Sequence, residues 1–349
     1  MRLPPSLRTA LSFTARLALV VLVAEGLASA IHVTSSIVTL LRSAPRLHTR
    51  YDPDLGWVST PNLSLEHHWG QGASLHTNAQ GFRGRRDVPR ASAGRRRIVC
   101  TGDSFTLGVG VDDDDTWCAQ LAAGSPELEA VNMGQGGYGV DQAFLWYRRD
   151  GASLEQRVHV FAFVSVDLDR MLTDRFVGFP KPYLDLDKGA LVTRNTPVPK
   201  AAYLAPWLTL TLPRLDELRL VALARGIGAN MAPPGARPAP HQPLAVLFPA
   251  MLDELRSLHA ASGSRLLVVY LPTVADLTPS PGMDGFRAGL AADLMRRGFD
   301  YHDLTPVFRD QPPGAEDRLF LPATVLGRHY TTQGHRLVAE TLKRLLGPI

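Results

Sequence analysis

An α/β architecture follows from three features of this sequence: a central parallel sheet, helices over both of its faces, and an additional N-terminal helix. Short apolar runs alternate with helical patterns from "RRIVC" to the C-terminal "TTQGHRLVAETLKRLL", the signature of successive βαβ units. Two of those runs, "HVFAFVSV" (His159 to Val166) and "SRLLVVYLPT", are apolar almost throughout, as strands covered on both faces are. An arginine-flanked apolar stretch near the N-terminus supplies the extra helix. Together they predict a three-layer α/β/α sandwich.

At the N-terminus, Arg8 and Arg16 precede "LALVVLVA" (Leu17 to Ala24), and apolar residues resume after Glu25-Gly26. Such a run is an export signal, and it has two possible fates. "ASA" (Ala28 to Ala30) has the small-x-small form of a signal peptidase site. Alternatively, Ala10 to Ala30 forms one uncleaved helix of about twenty residues, long enough to span a bilayer, with Glu25 close to its outer end. The uncleaved anchor, over residues 1–45, is the reading taken forward. Either fate puts the rest of the chain outside the cytoplasm.

The net charge of +4 is concentrated in two places. Arg2, Arg8, Arg16, Arg42, Arg46 and Arg50 face only Glu25 in the first fifty residues, a membrane-flanking pattern. Arg83, Arg85, Arg86, Arg90, Arg95, Arg96 and Arg97 read as a solvated linker. Neither cluster has the interleaved aromatics or reader motif of a nucleic-acid module, so no nucleic acid partner is expected. Cys100 and Cys118 are the only cysteines. They give no disulfide framework and no metal-ligand spacing, and a bond between them stays open beside the reading as small buried hydrophobes.

Residues 46–92 are irregular, rich in turn residues and without helical period; they are expected to pack as an arm on the domain formed by residues 93–349. There "RRIVC" is the first strand and "TWCAQLAAG" the helix after it. "LEAVNMG" is a strand, "VDQAFLWYRRDG" a helix, and "HVFAFVSV" the third strand. An insertion over about 172–242 holds "KPYLDLDKGALVTRNTPVP" and the Pro-rich "MAPPGARPAPHQP", and its length beside a site suggests a lid. The helix "PLAVLFPAMLDELRSLHAASG", the strand "SRLLVVYLPT", the helix "FRAGLAADLMRRG", a strand in "FDYHDLTPVF" and a closing helix complete the alternation.

The chemistry centres on "GDSFTLGVGV". It has no Gly-Lys-Ser/Thr, and no third glycine at the dinucleotide spacing, so it is not a phosphate cradle. Ser104 directly follows the first strand, at the carboxyl edge where open parallel sheets place their sites. It is a candidate nucleophile needing a base and oxyanion donors; its alternative role is to cap the next helix.

These residues resemble the SGNH (GDSL-type) hydrolases. "GDSFTLGVGV" is similar to their first block, with Ser104 at the nucleophile. "VNMGQGGYGVDQ" resembles the second, whose glycine amide, matched by Gly137, joins the Ser104 amide in the oxyanion hole. "GRHYTTQGHRLVAE" resembles the last and places the catalytic histidine at His329, with His335 on the following helix. The arm "DPDLGW…PN…NAQGFRG" looks like one in membrane-anchored, exported members. The resemblance covers most of Tyr51 to Ile349 and implies a flavodoxin-like sandwich.

Two positions depart from the pattern. The oxyanion asparagine of the third block is Val166, which cannot donate a hydrogen bond, followed by Asp167. The aspartate three residues before the histidine is Leu326. Candidate substitutes are Glu316 or Asp317 for the support of His329, and Arg170 as a cation near the oxyanion. Asp103 and Asp167 are further supporting candidates, whereas Asp303 reads as a turn cap. Asp112 to Asp115 lack ligand geometry and suit a position before a helix; neither metal nor cofactor is implied.

The resemblance therefore implies an exported serine esterase acting on an acyl ester, of a cell-surface glycan or a lipid, through a Ser104/His329 acyl-enzyme. An O-acyltransferase differs only in the alcohol that attacks the acyl-enzyme. A binding protein with a catalytically weak or inactive cleft is the third reading, supported by Val166 and Leu326.

Overall fold

A computed structural model describes residues 5–42, 48–177, 179–200, 242–323 and 327–347. The chain divides into two compact units, one of Met1–Arg46, Val177–Phe179 and Lys200–Pro238, the other of Leu47–Phe176, Pro180–Pro199 and Ala239–Ile349. Among the described residues of the first unit, α1 (Pro5–Arg42) runs as one helix without a break. Its segment Phe13–Ile31 has a mean hydropathy of 1.7 and is long and apolar enough to cross a membrane. A signal sequence has the same character, so both fates remain compatible with the helix.

The second unit begins with two small antiparallel ladders, β1 (Thr49–Asp52) with β2 (Gly56–Ser59), and β3 (Ser64–Leu65) with β4 (Leu75–His76). The main strands are β5 (Arg96–Gly102), β6 (Leu128–Gly134), β7 (Val158–Phe163), β10 (Arg265–Tyr270) and β11 (Tyr301–Asp303). Between β7 and β10 lies the hairpin β8 (Tyr183–Asp187) and β9 (Ala190–Arg194); of the insertion expected over about 172–242 as a lid, residues 178 and 201–241 lie outside the described residues. The five main strands form one parallel sheet in the order β11-β10-β7-β5-β6. This is the flavodoxin-like order, with its switch point between β5 and β7.

The sequence explains most of these elements. All six residues of β7 are buried, as helices on both faces require. It is shorter than "HVFAFVSV" suggests, because Ser165 already opens a helix, α5 (Ser165–Met171). Helix α2 (Ser104–Leu107) follows β5, α3 (Trp117–Ala122) precedes β6, and α4 (Val140–Trp146) precedes β7. After the insertion, α6 (Leu244–Ser262) stops at Gly263 in a left-handed cap with φ 67°, a conformation glycine adopts without penalty. Helix α7 (Pro281–Arg296) joins β10 to β11. The closing helix α8 (Thr332–Leu346) buries His335, Val338, Ala339, Leu342 and Leu346 along one stripe, the spacing of a helix packed on a sheet.

The reading of the second arginine cluster as solvated needs correction. Arg97 is fully buried and paired with Glu129 at 2.5 Å, its register partner on β6. Arg83 is also buried; it binds Asp113 at 2.9 Å and donates to the carbonyls of Ser74, Leu107, Gly108 and Val111. Asp113 in turn holds His76 of β4 at 2.6 Å, so the "DDDD" run ties the arm to the segment between α2 and α3.

Cys100 on β5 and Cys118 on α3 form a disulfide, with Cα atoms 6.1 Å apart. Both are buried in the core. Replacing the two by alanine is expected to cost about 2–4 kcal/mol of stability. Denaturant unfolding of the variant against the oxidised wild type measures this loss.

Candidate active site

Ser104, after β5, and His329, on the last loop, come together, and Gly137 lies on the loop that follows β6. Gly102 and Gly134 are register partners at the carboxyl ends of β5 and β6, and Gln135 N–H donates to the Gly102 carbonyl at 3.0 Å. A Cβ on Gly134 would lie 2.1 Å from the Leu107 amide nitrogen, so α2 can sit against β6 only over a glycine.

The cap of α2 is Asp103, whose Oδ1 accepts from Phe105 N–H at 2.9 Å. Capping therefore does not occupy Ser104, which is the first helical residue. Its Oγ lies 2.8 Å from His329 Nε2, the distance of a good hydrogen bond.

His329 is held by its backbone. Its carbonyl accepts from Leu321 N–H at 2.7 Å, and Thr331 N–H donates to Leu319 at 2.9 Å. Phe105 packs against the imidazole with ring centroids 4.8 Å apart. The neighbouring Tyr330 is fully buried and donates to the Pro272 carbonyl at 2.6 Å. Burial pushes the His329 pKa below the usual histidine range; the charge of Asp103 raises it, and that of Arg170 lowers it further. The ring is consequently neutral and able to accept a proton at neutral pH.

No carboxylate among the described residues pairs with His329. Asp317 instead binds Arg328 at 2.8 Å, and Glu316 is exposed in the turn of Glu316–Leu319. Leu326 lies outside the described residues. Asp303 caps the next turn through Thr305 N–H at 2.8 Å and meets Arg287 at 3.2 Å. His335 accepts from Trp117 N–H at 3.1 Å, and burial takes its pKa down to about 3; it is a neutral structural residue.

The second loop turns at Gly137 with φ 79°, and a Cβ there would come within 2.4 Å of the Phe176 ring. Trp57 from the arm donates to the Gly136 carbonyl at 2.9 Å, and Tyr138 Oη donates back to the Trp57 carbonyl at 2.5 Å. Sequence reasoning missed this brace; its one trace was the tryptophan of "DPDLGW". Among the described residues, the amides of Ser104 and Gly137 donate to no protein acceptor.

Val166 is 40% exposed at the start of α5 and offers no donor. Asp167, one residue on, is buried and accepts from Val164 N–H at 3.0 Å. Arg170 binds Asp167 at 2.6 Å, the Tyr138 carbonyl at 3.0 Å and Asp103 at 3.4 Å. Its guanidinium lies over the Phe176 ring, 4.8 Å from the centroid. Arg170 thus stands behind the Gly137–Tyr138 turn, with its charge largely met by carboxylates.

No family model matches the chain, and no curated protein matches it. Among solved structures it is similar to a member of the lipolytic protein G-D-S-L family from Veillonella parvula DSM 2008. That pair shares 12% identity with a TM-score of 0.40, over 73% of this chain and 100% of the other. It is also similar to an acetylxylan esterase from Geobacillus stearothermophilus, at 13% identity and TM-score 0.36, over 72% and 94%. A third is a salicylyl-acyltransferase from a tetracycline biosynthetic pathway, at 15% identity and TM-score 0.34, over 73% and 55%. These likenesses are distant. The three-layer architecture and its strand order stand on the sheet itself.

Proposed function

We propose that the protein is an exported serine ester hydrolase of SGNH type. The 2.8 Å contact between His329 Nε2 and Ser104 Oγ carries this reading. In the forward step Oγ bonds to the ester carbonyl carbon while its proton passes to Nε2. The carbonyl oxygen, now anionic, takes hydrogen bonds from the Ser104 and Gly137 amides. Collapse expels the alcohol, which takes the proton from His329, and leaves an acyl-Ser104. Water, deprotonated by His329, then releases the acid. Arg170 supports the oxyanion from behind the Gly137 turn in place of a donor at Val166.

Export is supported by the N-terminal apolar helix, read as an anchor, and by the disulfide, since such bonds persist in oxidising compartments. That location favours an acylated cell-surface glycan or lipid as substrate. The reading as an inactive binding cleft draws on Val166 and on the absence, among the described residues, of an acid paired with His329. Turnover of a short-chain p-nitrophenyl ester by the full chain in detergent decides between them: hydrolysis above the buffer rate is expected, and wild type no faster than Ser104→Ala contradicts the enzyme.

Gly137→Ala tests the oxyanion assignment. The added methyl group collides with Phe176 in a backbone region that disfavours alanine, displacing the amide. Loss of one such donor typically lowers kcat about 100- to 1000-fold, with KM little changed. Steady-state kinetics on the same ester reads the split.

A further inference from the structure

The arm meets the second loop along one strand face, through alternate residues of 55–59. The Leu55 carbonyl accepts from Gln142 Nε2 at 2.8 Å, and Ser59 Oγ donates to Gln135 Oε1 at 2.6 Å. Between them, Trp57 accepts from Tyr138 Oη at its carbonyl, and its indole N–H donates to the Gly136 carbonyl at 2.9 Å. That carbonyl and the Gly137 N–H belong to one peptide. The peptide is trans and planar, so the two groups point in opposite directions and turn together. Glycine stands on both sides of it, which makes rotation of the plane easy. The indole, by contrast, is fixed by packing. Trp57 is buried, with its ring edge-on to Tyr138 at 5.6 Å and tilted against Phe176 at 6.0 Å between centroids.

We propose that Trp57 is a positioning residue: by holding the Gly136 carbonyl, its indole N–H aims the Gly137 N–H at the oxyanion. The catalytic meaning rests on the Ser104/His329 reading; the hold on the peptide does not. A Gly-Gly peptide left free spreads its N–H over many directions, most of which offer an oxyanion nothing. A donor fixed beforehand leaves no reorganisation for the moment of reaction, and that is where its effect comes from. The bond at the carbonyl also polarises the amide and strengthens the N–H at its other side. The next two peptides have their own ties, Tyr138 N–H to the Gln135 carbonyl at 3.3 Å and the Tyr138 carbonyl to Arg170 at 3.0 Å. The Gly136–Gly137 peptide has Trp57.

The sequence itself supplies a probe, because Gly136-Gly137 is its only Gly-Gly pair. Full-length protein made with glycine isotope-labelled at the carbonyl carbon and the nitrogen therefore gives a single carbonyl–amide NMR correlation, recorded in detergent. Trp57→Phe keeps a ring in the slot but has no N–H. Its Gly136 carbonyl signal is expected to move upfield, as a carbonyl does on losing a donor. For a p-nitrophenyl ester its kcat is expected to fall about 10-fold or more, with KM little changed. Ser59→Ala removes a neighbouring bond of the same strand and is expected to leave both readings close to wild type. Benzothienylalanine at position 57, with sulfur in place of the indole N–H, serves if the phenylalanine variant does not fold. A carbonyl signal that stays in place overturns the proposal, and so do equal falls in kcat in the Trp57 and Ser59 variants. If the signal moves as expected in a protein that hydrolyses no ester, the hold on the peptide stands and the esterase reading fails.

Discussion

Ser104→Ala and His329→Gln are each expected to lower ester turnover about ten-thousand-fold or more, and the double variant to lose no more than either single one. The non-additivity follows from the geometry. In the proposed mechanism Ser104 is a weak nucleophile until His329 takes its proton, and that mechanism gives His329 no separate step. Removing either partner disables the same step, leaving only the catalysis that binding and the oxyanion amides provide. Folding should be spared, because Asp103 rather than Ser104 caps α2 and the loop hydrogen bonds at His329 come from its backbone. The measurement is kcat/KM for the three variants, with thermal melts to confirm that each is folded. Additive losses would indicate that the two residues act in separate steps.

Arg83→Met should be the most damaging single change to stability, at about 3–5 kcal/mol and a fall in Tm on the order of 10 °C. The methionine preserves much of the buried stem but leaves the carbonyls of Ser74, Leu107, Gly108 and Val111 without their donor. It also strips Asp113 of its guanidinium partner. Leu107 ends the Ser104 helix and Gly108 to Val111 directly follow it, so activity should fall with stability. Arg85 provides the control: its side chain is 65% exposed and 3.8 Å from Glu66. Exposed pairs of that kind contribute about 1 kcal/mol or less, so Arg85→Met should melt close to wild type. Equal effects of the two substitutions would contradict the role given to Arg83.

Arg83 and Arg97 mark the boundary of what the sequence reveals. Strand–helix alternation gave the parallel sheet, since buried strands and amphipathic helices leave distinct periods. Three blocks in order named Ser104, Gly137 and His329 as candidates, and Ser104 Oγ and His329 Nε2 lie 2.8 Å apart. The arginine run carried no period that separates Arg83 and Arg97 from their exposed neighbours. Their burial depends on partners about thirty residues away in sequence, Asp113 and Glu129, which only the folded sheet brings close. The disulfide was hidden for a similar reason: eighteen residues separate the cysteines, and the βα packing of β5 on α3 joins them. Asp103, a supporting candidate in the sequence, caps α2 and meets Arg170, which also binds Asp167.

The most direct test of the account is covalent labelling of the full-length protein with a fluorophosphonate, followed by intact mass and peptide mapping. One adduct per chain on Ser104, formed far more slowly in His329→Gln, is the predicted result. No adduct, or an adduct mapped to another residue, would contradict Ser104 as the nucleophile.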